Sequence, residues 1–407
     1  PVRDVAFLGI EFRDSVPTFL DDWGVPSGGD WALHRGGAVM IEGCEDVRIV
    51  NSTFNYLGGN AVFLSSYTRG VNITGNRFNM LGESAVVTWG DTEDLPGSKP
   101  GRLPDGVGID GTAGNQPRLS TIMGNIIYDI GLKERQSSGW GEFKACQSLV
   151  KNNIFFNMPR AAVNINDGFG GGTHIEGNLM FNTCRESGDH GPINSWDRQP
   201  FLTSVRDGTP SLVPEYNYVS RNLLIANYGA GWGVDNDDTT SWYKIYNNVL
   251  YLGGGVKCDY DGHDKYFYNN LMIDQVGGGA CHHTCAYRYP YTDHCYNNTF
   301  IQRPRDNPGP RGETSDNFAV IWFCDKNDPS HIIHDYNNGM LPVVHSNKIY
   351  NSDGRTANVT CGYSGAEDET IPLIRFMEVG LMENTTVGKI PEVDTITGWA
   401  KELLLMH

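Results

Sequence analysis

The most regular feature of this 407-residue chain is a short apolar run that follows one or two polar residues, usually asparagine, and recurs many times. NNIFFNM at Asn152 and NNVLYLG at Asn247 are two copies of this phrase. From Asn222 to Asn298 the second polar residues of consecutive copies lie 22 to 28 residues apart. Strand-like runs repeated at this period predict a solenoid in which each coil stacks on the next.

Asparagine has a physical reason to recur at the corners of such coils. It tolerates the left-handed backbone conformation that a sharp corner requires, and amides stacked in neighbouring coils can hydrogen-bond in a ladder. The apolar runs are four or five residues long and broken by glycine, which argues against amphipathic helices. The leucine spacing of leucine-rich repeats is absent. We therefore expect short parallel strands, with corners near Asn153, Asn178, Asn222, Asn248 and Asn270.

Over residues 40–340 this repeat pattern resembles the right-handed parallel β-helix, or pectin-lyase-like, superfamily. The longer phrases, such as RESGDHGPINSWDRQPF and GVDNDDTTSWY, resemble a group of uncharacterised secreted β-helix proteins. The resemblance implies an all-β fold, a right-handed parallel β-helix with inserted loops and a short C-terminal helix. It leaves the activity open.

The chain divides by pattern into three parts: residues 1–45, two strand-like runs around an irregular loop; residues 46–345, the β-helix; and residues 346–407, an extension that ends in a helix. Ile396, Trp399 and Leu403 recur at helical spacing near the C-terminus. We expect this helix to cover the open end of the solenoid. Because the sequence opens directly on a strand-like run, we expect it to be a processed or partial product of a longer precursor.

Composition narrows the classes of partner. Fifty glycines and 19% charged residues indicate a protein of many turns. The formal net charge of −17 disfavours binding to nucleic acid or to an anionic membrane surface. An anionic polysaccharide would also be repelled unless a local cluster of basic side chains overrides the net charge. No apolar run reaches the length of a membrane span.

Nine cysteines and five Asn-x-Ser/Thr sequons favour a secreted, oxidising setting. The odd number of cysteines leaves one free or paired with another chain, and disulfides explain the cysteine–histidine-rich CHHTC segment better than a zinc site does. We expect Cys281, Cys285 or Cys295 to take part in a disulfide. The candidate glycosylation sites are Asn51, Asn72, Asn297, Asn358 and Asn384.

Ionisable side chains concentrate in three stretches, residues 185–201, 231–242 and 254–266. Counting from the corner asparagines places acids at nearly the same angular position in successive coils, about 4.8 Å apart. Stacked carboxylates raise one another's pKa, so that one can act as a general acid beside an ionised partner. A single aspartate at a corner is equally explained as a turn former, but the whole cluster, which includes histidines and tryptophans, favours a functional site.

We interpret this cluster as the site of a secreted carbohydrate-active enzyme that hydrolyses a glycosidic bond in a polysaccharide. The candidate catalytic residues are Asp189, His190, Asp197, Asp237, Asp238 and His263. The candidate substrate-binding residues are Arg185, Trp196, Arg198, Trp232 and Lys257. Similar counts from the corner asparagines predict that Asp197, Asp237 and His263 share one outer face of the solenoid.

A second resemblance, to the polygalacturonase-like glycoside hydrolases, rests on three short motifs in the family's order, Asn166-Asp167-Gly168, Asp237-Asp238 and Gly262-His263. It implies Asp237 and Asp238 as the acid and base pair. The sequence departs from the family's pattern in two places: Asp264 stands where the family has glycine, and no Arg-x-Lys follows. The resemblance therefore bears on reaction type alone.

Two other classes of function stay open. The carboxylates of Asp259, Asp261 and Asp264 suit a calcium ion, and a calcium-dependent polysaccharide lyase would use Lys257 or Arg198 as base. Hydrolysis itself requires no cofactor. The third class is a non-catalytic structural or adhesive solenoid of a surface filament or matrix, either a homo-polymer or a chain joined by intermolecular disulfides.

Overall fold

The structure is a computed structural model, and the part of the chain that it describes comprises residues 1–24, 33–91, 114–166, 171–188, 190–196, 215–225, 231–237, 240–258, 262–275, 281–283, 292–303, 317–322, 343–362 and 369–405. These residues wind as a parallel β-helix, in which successive coils add strands to three long sheets, A, B and C. The predicted fold class is therefore confirmed.

The strand bounds follow the coils from the N-terminus. Sheet A contains Val2–Arg3, Val39–Glu45, Val62–Arg69, Val86–Trp89, Pro117–Arg118, Trp140–Phe143, Val163–Asn166, Ile193–Trp196, Val234–Asp237, Val256–Cys258, Cys281–His283, Asn317–Trp322, Asn358–Gly362 and Glu369–Pro372. Sheet B contains Ala6–Leu8, Arg48–Val50, Asn72–Thr74, Thr121–Met123, Leu149–Lys151, His174–Glu176, Asn217–Ser220, Tyr243–Tyr246, Lys265–Tyr268, His294–Tyr296 and Val343–His345. Sheet C contains Glu11–Arg13, Thr53–Leu57, Arg77–Leu81, Ile126–Tyr128, Ile154–Phe156, Leu179–Phe181, Leu223–Ile225, Val249–Tyr251, Leu271–Ile273, Thr299–Ile301, Lys348–Asn351 and Thr386–Lys389.

Few elements lie outside these three sheets. Trp23–Gly24 and Leu33–His34 pair as a small antiparallel hairpin. Helix α1 spans Leu373–Glu378, and helix α2 spans Val393–Leu404. In the part of the chain that is described, neither helix has the length and apolarity needed to cross a membrane. The three sheets also extend past residues 46 and 345, since the first coil begins at Val2 and the last strand of sheet C ends at Lys389.

A ladder of buried asparagines runs along the corner between sheets B and C. In each coil the side-chain oxygen of the ladder residue accepts hydrogen bonds from the backbone N–H and the side-chain amide of the ladder residue one coil earlier. Asn222 donates both bonds to Asn248 at 3.0 Å, and Asn248 donates both to Asn270 at 3.0 Å. The ladder consists of Asn76, Asn125, Asn153, Asn178, Asn222, Asn248, Asn270, Asn298 and Asn347.

The left-handed backbone conformation at this corner belongs to the residue before the ladder asparagine. Asn152 and Asn247 have φ of 54° and 56°, while the following residues, Asn153 and Asn248, are buried in the ladder. The sequence argument assigned both properties to one asparagine. The structure divides them between two neighbours because the left-handed residue turns the chain, and only the next side chain then points inward.

The C-terminal helix exists as predicted, but its predicted place at the open end of the solenoid is wrong. Ile396, Trp399 and Leu403 of α2 pack against outward-facing apolar residues of sheet C, among them Leu271 and Ile301. The side chains that extend the interior core at the C-terminal end come instead from α1 and its flanks, namely Leu373, Phe376 and Met382.

The described cysteines give a partial test of the expected cross-links. Cys44, Cys146, Cys184 and Cys258 carry no disulfide. The strand register pairs Cys258 with His283 and places Cys281 two residues away, opposite Val256. Cys258 therefore does not stack on Cys281 as the 23-residue spacing had indicated. A disulfide that involves Cys281, Cys285 or Cys295 stays a prediction.

One carboxyl group lies inside the solenoid. Glu142 on sheet A is 2% exposed. It accepts hydrogen bonds from Thr173 Oγ1 at 2.7 Å and from Trp140 Nε1 at 3.2 Å. Burial outweighs these bonds and raises the pKa of Glu142 from its ordinary value of 4.5 to about 7.

We expect Asn248→Ala to lower the stability of the folded chain by about 2–4 kcal/mol, because it leaves the N–H groups of Asn222 buried without an acceptor. A thermal or urea unfolding curve measures this loss. Asn247→Gly is the matched control, since glycine adopts the left-handed conformation of Asn247 without strain. An equal loss in both variants would contradict a structural role for the ladder.

Glu142 predicts a pH dependence of stability. Its folded-state pKa lies above the unfolded value, so the folded chain binds more protons between about pH 4.5 and 7. The stabilisation is complete below that window and is lost as the pH rises through it. Thermal midpoints between pH 4 and 8 should fall with pH in the parent chain relative to Glu142→Gln. Parallel pH profiles would contradict this assignment.

Candidate functional site

The outer face of sheet A changes from apolar to polar along the solenoid. Side chains alternate along a strand, so in Val163–Asn166 the first and third residues enter the core while Asn164 and Asn166 point outward. Strand register aligns the outward residues of successive coils in two columns. One column is Asn164, Asn194, Asp235 and Lys257, and the other is Asn166, Trp196 and Asp237. We call these seven residues the sheet A cluster.

Toward the N-terminal coils the same face is hydrophobic. Phe63, Val87 and Phe143 form a separate apolar group outside the main core, and Trp196 packs with them. Trp196 is 5% exposed and is thus the boundary between the apolar and polar parts of the face. The predicted surface position of this tryptophan is not what the structure shows, because the neighbouring coil covers one side of its ring.

A buried ion network forms the centre of the sheet A cluster. The Lys257 ammonium lies 3.3 Å from Asp235 Oδ1 and 3.0 Å from Asp237 Oδ1. The side chains of Asp235 and Lys257 are 0% and 4% exposed, whereas that of Asp237 is 21% exposed. Since the two aspartates are two residues apart on one strand, both reach the same cation from one side. Asp237 is thus the more accessible carboxylate of the pair.

Amides and a guanidinium extend this network to the neighbouring coils. Asn194 donates from Nδ2 to Asp235 Oδ2 at 2.9 Å, and Arg160 donates from Nη2 to Asn194 Oδ1 at 3.4 Å. Arg160 is 1% exposed and also donates to Gln136. The chain of contacts therefore holds the amide of Asn194 in one orientation, with its nitrogen toward Asp235.

Two amides in the sheet A cluster have unused hydrogen-bonding capacity. Asn166 is 0% exposed, and within the described structure neither its amide nitrogen nor its oxygen has a hydrogen-bond partner. The side-chain oxygen of Asn164, which is 1% exposed, is in the same condition. Buried amides without partners are costly and uncommon. They therefore mark a place where a polar group from elsewhere would be stabilised.

The segment from His190 packs against the same region. A methyl group built on Gly191 would lie 3.1 Å from the Trp232 carbonyl oxygen and 3.2 Å from the Asp235 nitrogen, so glycine permits the close approach. Burial, with the positive charges of Arg160 and Lys257, lowers the pKa of His190 to about 3. His190 is consequently neutral over the physiological pH range. The Lys257 ammonium lies 5.8 Å from the centre of the Trp232 ring.

The structure thus brings five of the predicted site residues to one region, namely His190, Trp196, Trp232, Asp237 and Lys257. Six others, Asp189, Asp197, Arg198, Asp238, Asp259 and Asp261, lie outside the described residues. Arg185 is exposed at a corner, where its backbone N–H bonds to the Met158 carbonyl at 3.2 Å. The roles assigned to all of these residues stay predictions.

His263 and Asp264 lie at the corner between sheets A and B. The His263 N–H bonds to Ser241 Oγ at 3.1 Å, and its ring meets that of Trp242 edge to face at 5.4 Å. His263 Nδ1 is 2.7 Å from Asp264 Oδ2. His263 therefore stands level with Ser241, four residues beyond Asp237, and not directly above Asp237 as counting had indicated. No three histidine, cysteine or acidic side chains in the described ranges are grouped as metal ligands.

The candidate glycosylation sites differ in accessibility. Asn51, Asn297 and Asn384 are exposed and have a left-handed backbone conformation. Asn72 and Asn358 lie on strands and are partly buried, and Thr74 Oγ1 donates a hydrogen bond to the side-chain oxygen of Asn72. Glycosylation at these positions stays a prediction.

Sequence reasoning missed the amide members of the sheet A cluster, Asn164, Asn166 and Asn194, together with Arg160. In this chain the asparagines were all interpreted as corner residues. The useful signal was alternation, because VNIN, INSW and VDND each place polar residues at the second and fourth positions. These three tetrapeptides are adjacent strands in register.

Comparisons with known proteins give little beyond the fold. No protein-family model matches the sequence, and no curated protein matches it. A solved structure titled glycoside hydrolase is similar at a TM-score of 0.44 and 12% identity, over 60% of this chain and 38% of its own length. PfbA, a surface adhesin of Streptococcus pneumoniae, is similar at a TM-score of 0.37 and 12% identity, over 89% of this chain and 68% of its own. Neither similarity bears on activity.

We expect Lys257→Met to destabilise the chain by about 3–5 kcal/mol, because it leaves two aspartates near each other without their cation. The double variant Lys257→Met with Asp235→Asn should recover part of that loss. Chemical unfolding of the parent and the two variants measures the coupling. Equal stability of the parent and Lys257→Met would show that the ion network contributes nothing.

Proposed function

We propose that this chain binds a polysaccharide against the outer face of sheet A and hydrolyses one of its glycosidic bonds. The observation that carries the proposal is Asn166, a buried amide with both polar atoms free of partners within the described structure, placed between Trp196 and Asn164. Sugar hydroxyls are the donors and acceptors that would satisfy such an amide. Aromatic walls with a few convergent polar groups are typical of small-molecule and glycan sites.

Asp237 is our candidate for the catalytic carboxylate. Its partial exposure and its contact with Lys257 leave one oxygen of the carboxylate available while the other is fixed in place. Asp235 is fully buried and bonded to Asn194 and Lys257, which suits a positioning role. Glycoside hydrolysis needs a second carboxylate, for which Asp189, Asp197 and Asp238 are the candidates.

The neutral and cationic side chains of this region fit substrate binding. A neutral His190 can exchange hydrogen bonds with sugar hydroxyls without attracting a counter-ion. Trp196 and Trp232 offer indole surface beside the polar residues. Arg185 and Arg198 stay candidates for contacts to more distant sugar units.

The lyase alternative would use Lys257 as base, with calcium at Asp259, Asp261 and Asp264. The Lys257 ammonium is held by two carboxylates at 3.0 Å and 3.3 Å. A base role would require both contacts to break, since an ammonium has no lone pair to accept a proton. We therefore place hydrolysis first and retain calcium as a test.

The non-catalytic alternative also has an observation in its favour. Asp235, Lys257 and Asn194 form a closed, buried network, as a purely structural solenoid would use to hold its coils together. A chain of this kind would be a surface or matrix component that binds glycans or associates with itself. In either case the sequons and cysteines support a location outside the cell.

The test is turnover on a panel of neutral and uronic-acid polysaccharides, followed by reducing ends for hydrolysis and by unsaturated products for elimination, with and without a calcium chelator. Asp237→Asn should reduce hydrolysis by about 10³-fold or more while glycan binding persists, because the amide keeps the shape and loses the acid–base function.

Asp46→Asn is the matched control for this substitution. Asp46 is an exposed corner residue with φ of 55°, remote from the sheet A cluster, and asparagine tolerates that conformation. Its activity should equal that of the parent. Glycan binding with no turnover on any polymer would favour the adhesive alternative, and hydrolysis unchanged in Asp237→Asn would remove Asp237 from the mechanism.

A further inference from the structure

A groove of about 520 Å³ lies on another side of the molecule, between α2 and the corner that joins sheets B and C. Its floor consists of side chains from the left-handed corner positions of consecutive coils, Asn247, Asn269 and Asn297. These residues immediately precede the ladder asparagines in sequence, and their side chains point outward. The groove therefore follows the solenoid axis and presents one amide per coil, about 4.8 Å apart.

The backbone does not require side chains at these positions. Gly75, Gly124 and Gly177 occupy the equivalent corner in earlier coils with φ of 65° to 68°. Glycine is the residue that adopts this conformation at least cost. The amides along the groove thus add polar groups that the corner itself does not need, and each offers both a donor and an acceptor.

The two ends of the groove carry cations. Arg221 lies four coils before Lys348, so the two are separated by about 19 Å along the axis. Arg221 Nη1 lies 3.1 Å from Glu176 Oε1, whereas Lys348 makes no ion pair with any described residue. Glu402 is the acid in the lining. A local excess of positive charge in a chain of net charge −17 favours an anionic ligand.

The wall opposite the amides is apolar and comes from α2. Trp399 and Leu403 face the groove, and the Trp399 ring lies 5.6 Å from that of Tyr350. An indole surface beside a row of amides suits a ligand with one apolar face and many hydroxyl groups, which describes a sugar ring. A peptide would not offer a hydroxyl at every 4.8 Å step.

We propose that this groove binds an acidic oligosaccharide of several sugar units, with carboxylates near Arg221 and Lys348 and hydroxyls on the three amides. Trp399 would cover the apolar face of one ring, and Glu402 would accept hydrogen bonds from hydroxyls. The groove holds no pair of facing acids, so it is a binding site and not a second catalytic site. The proposal does not depend on the chemistry of the sheet A cluster.

The experiment measures binding of tetragalacturonate and of its fully methyl-esterified form by calorimetry, on protein prepared in a host that does not N-glycosylate, because Asn297 begins a sequon. The parent should bind the free acid at least tenfold more tightly than the ester. Lys348→Gln should weaken binding of the acid about five- to tenfold. Asn269→Gly should weaken both probes, since it removes an amide without straining the corner.

Lys401→Gln is the matched control, because Lys401 is exposed on α2 outside the groove lining and changes the net charge equally. It should bind both probes as the parent does. Asp237→Asn should also retain binding, which separates this site from the sheet A cluster. Equal affinity for acid and ester, or parental binding by both Lys348→Gln and Asn269→Gly, would overturn the proposal.

Discussion

The hydrogen bonds of the asparagine ladder are the constraint on which the rest of the structure depends. Each ladder amide satisfies two N–H groups of the previous coil, so every coil passes the corner between sheets B and C at the same place. Strand register in both sheets follows from that fixed point. A sheet with one buried face tolerates no slip of one residue, and the outward side chains therefore stay aligned in columns over many coils.

This fixed point also explains how much the sequence could predict. The ladder asparagines and the strands that follow them were recognisable because corner and run are contiguous. Positions on sheet A were not, since the distance from the ladder to sheet A varies: Asn222 precedes Val234 by 12 residues, and Asn248 precedes Val256 by 8. An equal count from both asparagines therefore placed His263 over Asp237, although register pairs Asp235 with Lys257.

The amides of the candidate site were obscured for a related reason. Asparagine at a corner, in the ladder and on the outer face of sheet A has the same letter but three different physical roles. Burial together with partner count separates these roles, and neither is visible in a sequence. Asn153 is buried and fully bonded, whereas Asn166 is equally buried without partners. The alternation of VNIN was the observable that could have distinguished Asn166 from a corner residue.

The two columns of corner residues suggest how such a scaffold separates stability from binding. The inward column must be asparagine, because each coil needs the amide to satisfy its neighbour's backbone. The outward column must only tolerate a left-handed conformation, and glycine, asparagine, serine and arginine all occur there. Its side chains can therefore change from coil to coil at little cost to folding. A surface for ligand recognition is expected where the fold makes such small demands, and the groove beside α2 follows this outward column.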